Sequence, residues 1–408
     1  MFICARFSVL MVLCLSGLGE NAPAQSGRKA TELPTFRKHV LLDGFVAEGV
    51  ATGDVNGDGK TDVMAGPYWF EGPDWKKKHE IFSPQLFATV KYSDSFVSQG
   101  MDVNLDGWVD LVRIGFPGQA AVWHENPKNA DGNWKTHLIH PTVGNESAGF
   151  ADVDGDGRLD LIGSSSDVGQ MTWFRAPTTP GATEWQRFPI SGEKAPGTAK
   201  FAHGLGLGDL NGDGRADLLT KTGWWEAPPD RKTPNWVFHE ADLGEDCAQM
   251  YAYDVDGDGD NDVVASSAHR YGIWWHEQAK DAQGNTHWNH YSIHQKFSQT
   301  HGLLLLDMNG DGPPDLVTGK RYFAHNGKTD PGELEPPVLY WFEFKPGKSP
   351  VWIPHQVDDD SGVGVQVVAE DVTKDGSMDI VVANKKGVFV FEQQRSGREK
   401  RIGADNRK

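Results

Sequence analysis

The stretch Asp152-Val153-Asp154-Gly155-Asp156-Gly157-Arg158-Leu159-Asp160 decides the fold. Its oxygen-bearing residues Asp152, Asp154, Asp156 and Asp160 stand at positions one, three, five and nine. Short carboxylates on alternate residues crowd oxygens into a small volume, and Gly157 at position six permits the sharp turn that folds the loop back. Such a cluster repels itself unless a hard cation sits inside it. Oxygen-only ligands at this density suit calcium, which takes roughly six to eight of them in flexible geometry.

Six relatives of this stretch follow the same spacing. Their ligand positions are Asp54, Asn56, Asp58 and Asp62; Asp102, Asn104, Asp106 and Asp110; Asp209, Asn211, Asp213 and Asp217; Asp254, Asp256, Asp258 and Asp262; Asp307, Asn309, Asp311 and Asp315; and Asp371, Asp375 and Asp379. Successive starts are 48, 50, 57, 45, 53 and 64 residues apart, and a fixed motif at a period near fifty means a repeat architecture. Loops two and seven have Leu105 and Lys374 where the others have their first Gly, and loop seven has Thr373 at position three. An EF-hand needs a bidentate Glu at position twelve, where this chain has Ala65, Arg113, Gly163, Thr220, Ala265, Thr318 and Val382. Up to seven structural calcium ions are expected, with occupancy of loop seven left open.

Around each loop lie short β-rich runs bounded by turn residues, and no window shows a long 3.6-residue apolar period. In the third repeat these runs are 147–151, the stretch from Asp160, 171–174 and 185–190. The third run carries a Trp-aromatic-Glu signature at Trp69, Trp123, Trp224, Trp275 and Trp341, with Arg175 in place of Glu in repeat three. The fourth opens on Trp75, Trp134, Trp185, Trp236, Trp288 and Trp352, and His137, His239 and His355 follow three residues after three of these. Repeated Trp in a repeated unit reads as packing between neighbouring sheets. Repeat seven ends after its third run, and residues 36–42 supply the missing fourth. Four strands in each of seven repeats, closed by an N-terminal strand, give an all-β seven-bladed β-propeller without free sheet edges.

The loops resemble the FG-GAP or VCBS repeats of secreted and cell-surface propellers, including the integrin α-subunit head. The resemblance implies that each loop joins the first and second strands of a blade and binds calcium. It fixes no activity, because that family includes adhesion modules, enzyme scaffolds and lectin-like proteins. The Trp-aromatic-Glu strand also resembles the propeller of aldos-2-ulose dehydratases, which act on oxidised sugars.

Residues 1–24 read as a secretory signal peptide: Arg6, an apolar run over 7–18 and Ala22-Pro23-Ala24. The run is short for a membrane span. A polar leader over 25–33, one propeller over 34–395 and a basic tail over 396–408 complete the expected organisation, and export to a secreted or periplasmic location follows. Cleavage leaves Cys247 alone, so no internal disulfide forms. The net charge of -18 disfavours nucleic acid and anionic membranes. The loops carry 23 of the carboxylates, and seven calcium ions would leave about -4. The acidity is mostly metal-site charge. A monomer is expected.

If the acidic loops join first to second strands, the lead-ins to the first strands and the second-to-third connections share the opposite face. Six residues before the first loop Asp stand Glu48, Glu146, His203 and His301. The connections add Arg113, Lys221, His269, Arg270, Lys320, Arg321 and His325, a basic and imidazole-bearing rim that suits an anionic or carbonyl-bearing ligand. His203 and His301, with Glu146 or Glu48, are candidates for proton transfer or for a transition metal at this face. Residues 323–337 form a connection long enough to be a lid. Three readings remain: a propeller binding a carbohydrate or protein ligand; a lyase, dehydratase or isomerase acting on keto sugars; and a structural adhesion module.

Overall fold

The computed structural model describes residues 33–394 apart from Lys328. The expected signal peptide, nearly all of the leader and the basic tail lie outside these residues. The described chain is all-β, with 28 strands and no α-helix, and no helix is long and apolar enough to cross a membrane.

The strands fall into seven antiparallel units of four in chain order. The first is Ala51–Gly53, Asp62–Ala65, Tyr68–Phe70 and Lys78–Glu80. In the seventh, Thr35–Asp43 from the start of the chain pairs with Gly387–Gln394, which continues to Asp379–Asn384 and Val368–Glu370. The N-terminal strand is therefore the outer strand of the last unit, as the missing fourth run implied.

Each unit is bonded to the next. Glu48 donates its N–H to Ser95 O between the first and second units, and Glu146 donates to Ala202 O between the third and fourth. Val143 bridges to Ser165 between the second and third. The inner strands Leu205–Gly208 and Gln249–Tyr253 run parallel between the fourth and fifth, and Leu303 donates to Gln249 Oε1 between the fifth and sixth. Val363 donates to Lys320 O, and Val365 donates to Glu48 O, so the seventh unit meets both the sixth and the first. These are the contacts of a ring. The inner strands meet backbone to backbone: a Cβ on Gly206 would lie 2.0 Å from Met250 O, and one on Gly364 2.0 Å from Glu48 O.

The core lies between neighbouring sheets. Val153, Ile162, Met171 and Trp173 of the third unit pack with Leu205, Leu218 and Trp225 of the fourth. On the third strands of the first six units a Trp stacks on a ring from the fourth strand. Trp69 stacks on His79, Trp123 on His137, Trp224 on His239 and Trp341 on His355, at centroid distances of 4.0–4.4 Å. The signature Glu then grips the same imidazole: Glu125 at 2.8 Å, Glu226 at 2.9 Å, Glu71 at 3.2 Å and Glu343 at 3.3 Å. Where Arg175 replaces the Glu, Phe188 replaces the His and stacks on Trp173. The aligned histidines are thus packing residues.

Deleting residues up to Asp43 is expected to strip the outer strand from the last unit and expose Gly387–Gln394 as an edge. The urea midpoint should fall clearly and light scattering should rise; an unchanged midpoint would show that this strand does not secure the ring.

Candidate functional site

In an antiparallel four-stranded unit, the first-to-second and third-to-fourth connections emerge at one end, and the remaining connections at the other. The seven acidic loops therefore share one face, and the lead-ins to the inner strands share the opposite one.

All seven loops have one construction. The position-nine Asp is fully buried at Asp62, Asp110, Asp160, Asp217, Asp262, Asp315 and Asp379. Burial, reinforced by neighbouring loop carboxylates, pushes Asp110, Asp160 and Asp315 up to about 7, and Asp62, Asp217, Asp262 and Asp379 to about 6. A cation among them would favour the ionised form. Position four is left-handed, with φ of 74–79° at Gly57, Gly155, Gly212, Gly257 and Gly310; Leu105 and Lys374 adopt 58° and 57° there despite their side chains. In two loops three carboxylate oxygens lie within 4.8 Å of one another, from Asp152, Asp154 and Asp160, and from Asp254, Asp256 and Asp262. These groups could hold a metal. In loop three, Arg175 stands 2.7 Å from Asp154 and 2.8 Å from Asp156, while Asp154 Oδ1 is buried without a hydrogen-bond partner among the described residues.

The opposite face brings Glu146, His203 and His301 together. Their ligating atoms lie within 4.8 Å of one another, and all three residues are buried. His203 Nε2 is 3.2 Å and His301 Nε2 3.8 Å from Glu146 Oε2. His203 donates Nδ1–H to Phe201 O at 2.9 Å, and His301 donates to Gln299 O at 3.2 Å. A carbonyl only accepts, so Nδ1 carries the hydrogen, and in the neutral ring Nε2 presents a lone pair. Phe201 and Gln299, each two residues before its histidine, are left-handed at φ 65° and 60°. For these side chains that conformation is costly, and here it aims both carbonyls at imidazoles.

Neither Nε2 finds a hydrogen-bond partner among the described residues, although both face the Glu146 carboxylate. Lone pairs aimed at an anion repel it unless a proton or metal ion stands between them. For His203, burial is outweighed by the Glu146 carboxylate, so its pKa is raised. Burial, Arg321 and the neighbouring imidazoles hold His301 well below its usual value. Glu146 falls to about 2 because His203 and Arg321 outweigh its burial.

The other expected residues are placed differently. Arg321 and Lys320 are buried rather than on a rim. Arg321 bridges Glu48 and Glu146, with Nη1 3.4 Å from Glu146 Oε2. Lys320 donates to Gln299 Oε1 at 2.6 Å. Arg113 lies within the strand Asp110–Ile114 rather than in a connection, paired with Asp94 at 3.0 Å and over the Phe82 ring. Lys221 pairs with Asp246, and exposed Arg270 stands 3.6 Å from Glu245. His269 and His325 reach Asp330, which sequence reasoning missed; the long connection carrying it has no counterpart in the other repeats to align. Beside the Glu48–Arg321 pair, to which Ser93 is bonded through Glu48, Phe87, Tyr92, Ser93, Asp94, Phe116 and Gln119 line a cleft of about 200 Å³.

Residues 102–163, 152–220 and 254–318 match the FG-GAP-like repeat family, each match running from one acidic loop to the strand behind the next. The chain carries FG-GAP-like repeats of the β-propeller type. No curated protein matches the chain. Among solved structures, BBS1N in complex with ARL6DN, soaked with lead, aligns at a TM-score of 0.52 and 9% identity, over 90% of this chain and 99% of that one, a likeness of fold. Rhamnogalacturonan lyase YesW aligns at 0.43 and 14% identity, over 85% and 71%. The V. cholerae biofilm matrix protein Bap1 aligns at 0.30 and 15%, over 74% of this chain and 38% of Bap1.

Removing the Arg321 guanidinium leaves two buried carboxylates without their shared cation. Arg321→Met is expected to cost about 3–5 kcal/mol in urea unfolding; a loss under about 1 kcal/mol would contradict the bridging role.

Proposed function

We propose that this is an exported, calcium-stabilised propeller whose face opposite the acidic loops binds a carbohydrate through a divalent transition ion held by Glu146, His203 and His301. One observation carries the reading: two buried imidazoles, each with Nδ1 tied to a carbonyl, turn unpartnered Nε2 atoms toward one buried carboxylate. Ligating histidines are usually anchored through the other ring nitrogen, and two imidazoles with one carboxylate suit a divalent transition metal with open positions. When bound, the ion would supply Lewis acidity toward a hydroxyl or carbonyl oxygen. Arg321 fixes the Glu146 carboxylate, and the Phe201 and Gln299 carbonyls fix the rings.

The adjoining cleft supports a sugar as ligand. Tyr92 and Phe116 offer aromatic faces, Asp94 and Gln119 offer hydrogen bonds, and the space is about that of one sugar ring. Tyr92 also lies 5.9 Å from the Arg321 guanidinium, which joins the cleft to the Glu146 cluster. A lyase, dehydratase or isomerase acting on a keto sugar at the same place is the second reading, favoured by the 2.6 Å contact between His325 Nδ1 and Asp330. Converging buried side chains disfavour a purely structural adhesion module. In the acidic loops, calcium would be held by the carboxylates and Asn oxygens at positions one, three, five and nine.

The two kinds of ion separate by chelation. EGTA is expected to lower the melting temperature by roughly 5 °C or more, and calcium should restore it; an unchanged melting curve would remove the calcium reading. In calcium-replete protein, elemental analysis should find a transition ion that His203→Ala and His301→Ala each lose while staying folded. Equal metal content in wild type and both variants would refute the site.

A further inference from the structure

We infer that His269 and His325 complete the coordination of the ion proposed at Glu146, His203 and His301, so that four imidazoles surround it; the inference rests on that reading of the site. Five of the six ring pairs stand 4.7–5.8 Å apart, centroid to centroid, and their ligating atoms form two adjoining groups, His203 and His301 with Glu146, and His269 and His325 with Asp330. His203 lies 4.7 Å from His269 and 5.7 Å from His301, centroid to centroid. His301 lies 5.8 Å from His269 and 5.6 Å from His325, and His269 lies 4.7 Å from His325. With metal–nitrogen bonds of about 2.0–2.1 Å, neighbouring imidazole ligands put their centroids roughly 4.5–6 Å apart. The observed separations fall in that range.

The second pair is prepared in the same tautomer as the first. Asp330 Oδ2 stands 2.6 Å from His325 Nδ1 and 3.2 Å from His269 Nδ1. Gln299 Nε2 donates to the same oxygen at 3.1 Å. With neutral rings and an ionised Asp330, both Nδ1 atoms carry hydrogen and both Nε2 atoms present lone pairs. That oxygen already accepts from three donors, so Asp330 orients the rings rather than ligating the ion. Gln299 links the two halves, because its side chain binds Asp330 and its carbonyl orients His301.

The ligands come from separate parts of the ring. His269 follows the strand Asp262–Ser266, whereas His325 and Asp330 lie in the 323–337 connection. Lys385 of the last unit ties that connection down, donating to Phe323 O at 3.0 Å and Asn326 Oδ1 at 3.3 Å. Glu333 accepts the His325 N–H at 2.7 Å. The segment expected to be a lid thus supplies part of the site.

The test uses cobalt(II) alone, added to full-length protein stripped with dipicolinate and kept in calcium. X-ray absorption on the wild type should show one bound ion with scattering from four imidazoles. His269→Gln and His325→Gln should each lose one imidazole and weaken cobalt binding at least tenfold. Asp330→Asn should weaken it roughly 10–100-fold with the ion still seated. A count of two imidazoles in the wild type, or unchanged affinity in both glutamine variants, would overturn the inference while leaving the Glu146, His203 and His301 site intact. Two ions per chain would overturn it as well. If the wild type binds no cobalt, the proposed metal site falls with it.

Discussion

The buried aspartate at position nine holds each unit together. In six of the seven, one carboxylate oxygen accepts the backbone N–H of loop position two, from Val55, Val103, Val153, Leu210, Val255 and Met308, and in loop seven it accepts that of position three, Thr373. The other accepts the N–H that follows the signature position of the third strand, at Gly72, Asn126, Ala176, Ala227, Gln278, Phe344 and Gln393. One side chain thereby ties the acidic loop, the second strand and the third strand into a single body. Its burial is costly without a cation, so a metal held in the loop would couple binding to folding.

That coupling divides labour between the two faces. Charge on the loop face is concentrated where it can be neutralised locally, and ring contacts such as Val365 to Glu48 let inner strands from distant repeats approach. Glu48, Glu146, His203 and His301 all lead into such strands, so the ring brings residues far apart in sequence to one mouth. Arg321 shows the energetic side of this arrangement. It is buried, yet it sits between two carboxylates, and removing any one member would strand charge in a low-dielectric interior.

The fold was legible because its signals repeat. Seven loops at a period near fifty and the Trp-aromatic-Glu strands occur often enough to check one another, and the single displaced fourth strand completes their count. The site was legible only where it borrows that period: Glu146, His203 and His301 share one offset from their loops. Asp330 was not, since its connection has no counterpart in the other repeats. Arg321 and Lys320 read as exposed loop cations, because sequence does not show that Arg321 lies between Glu48 and Glu146 or that Lys320 packs on Ser298 and Gln299. The coupled change of Glu to Arg175 and His to Phe188 was half visible, and only the Trp173 stack explains why the two differ together.

Anomalous diffraction from crystals grown with calcium and cobalt(II), recorded on both sides of the cobalt absorption edge, tests the account most directly. The account expects a cobalt-specific peak between Glu146, His203 and His301, and calcium density in the acidic loops of the opposite face. Cobalt confined to the acidic loops, with no edge-dependent peak among the imidazoles, would contradict it.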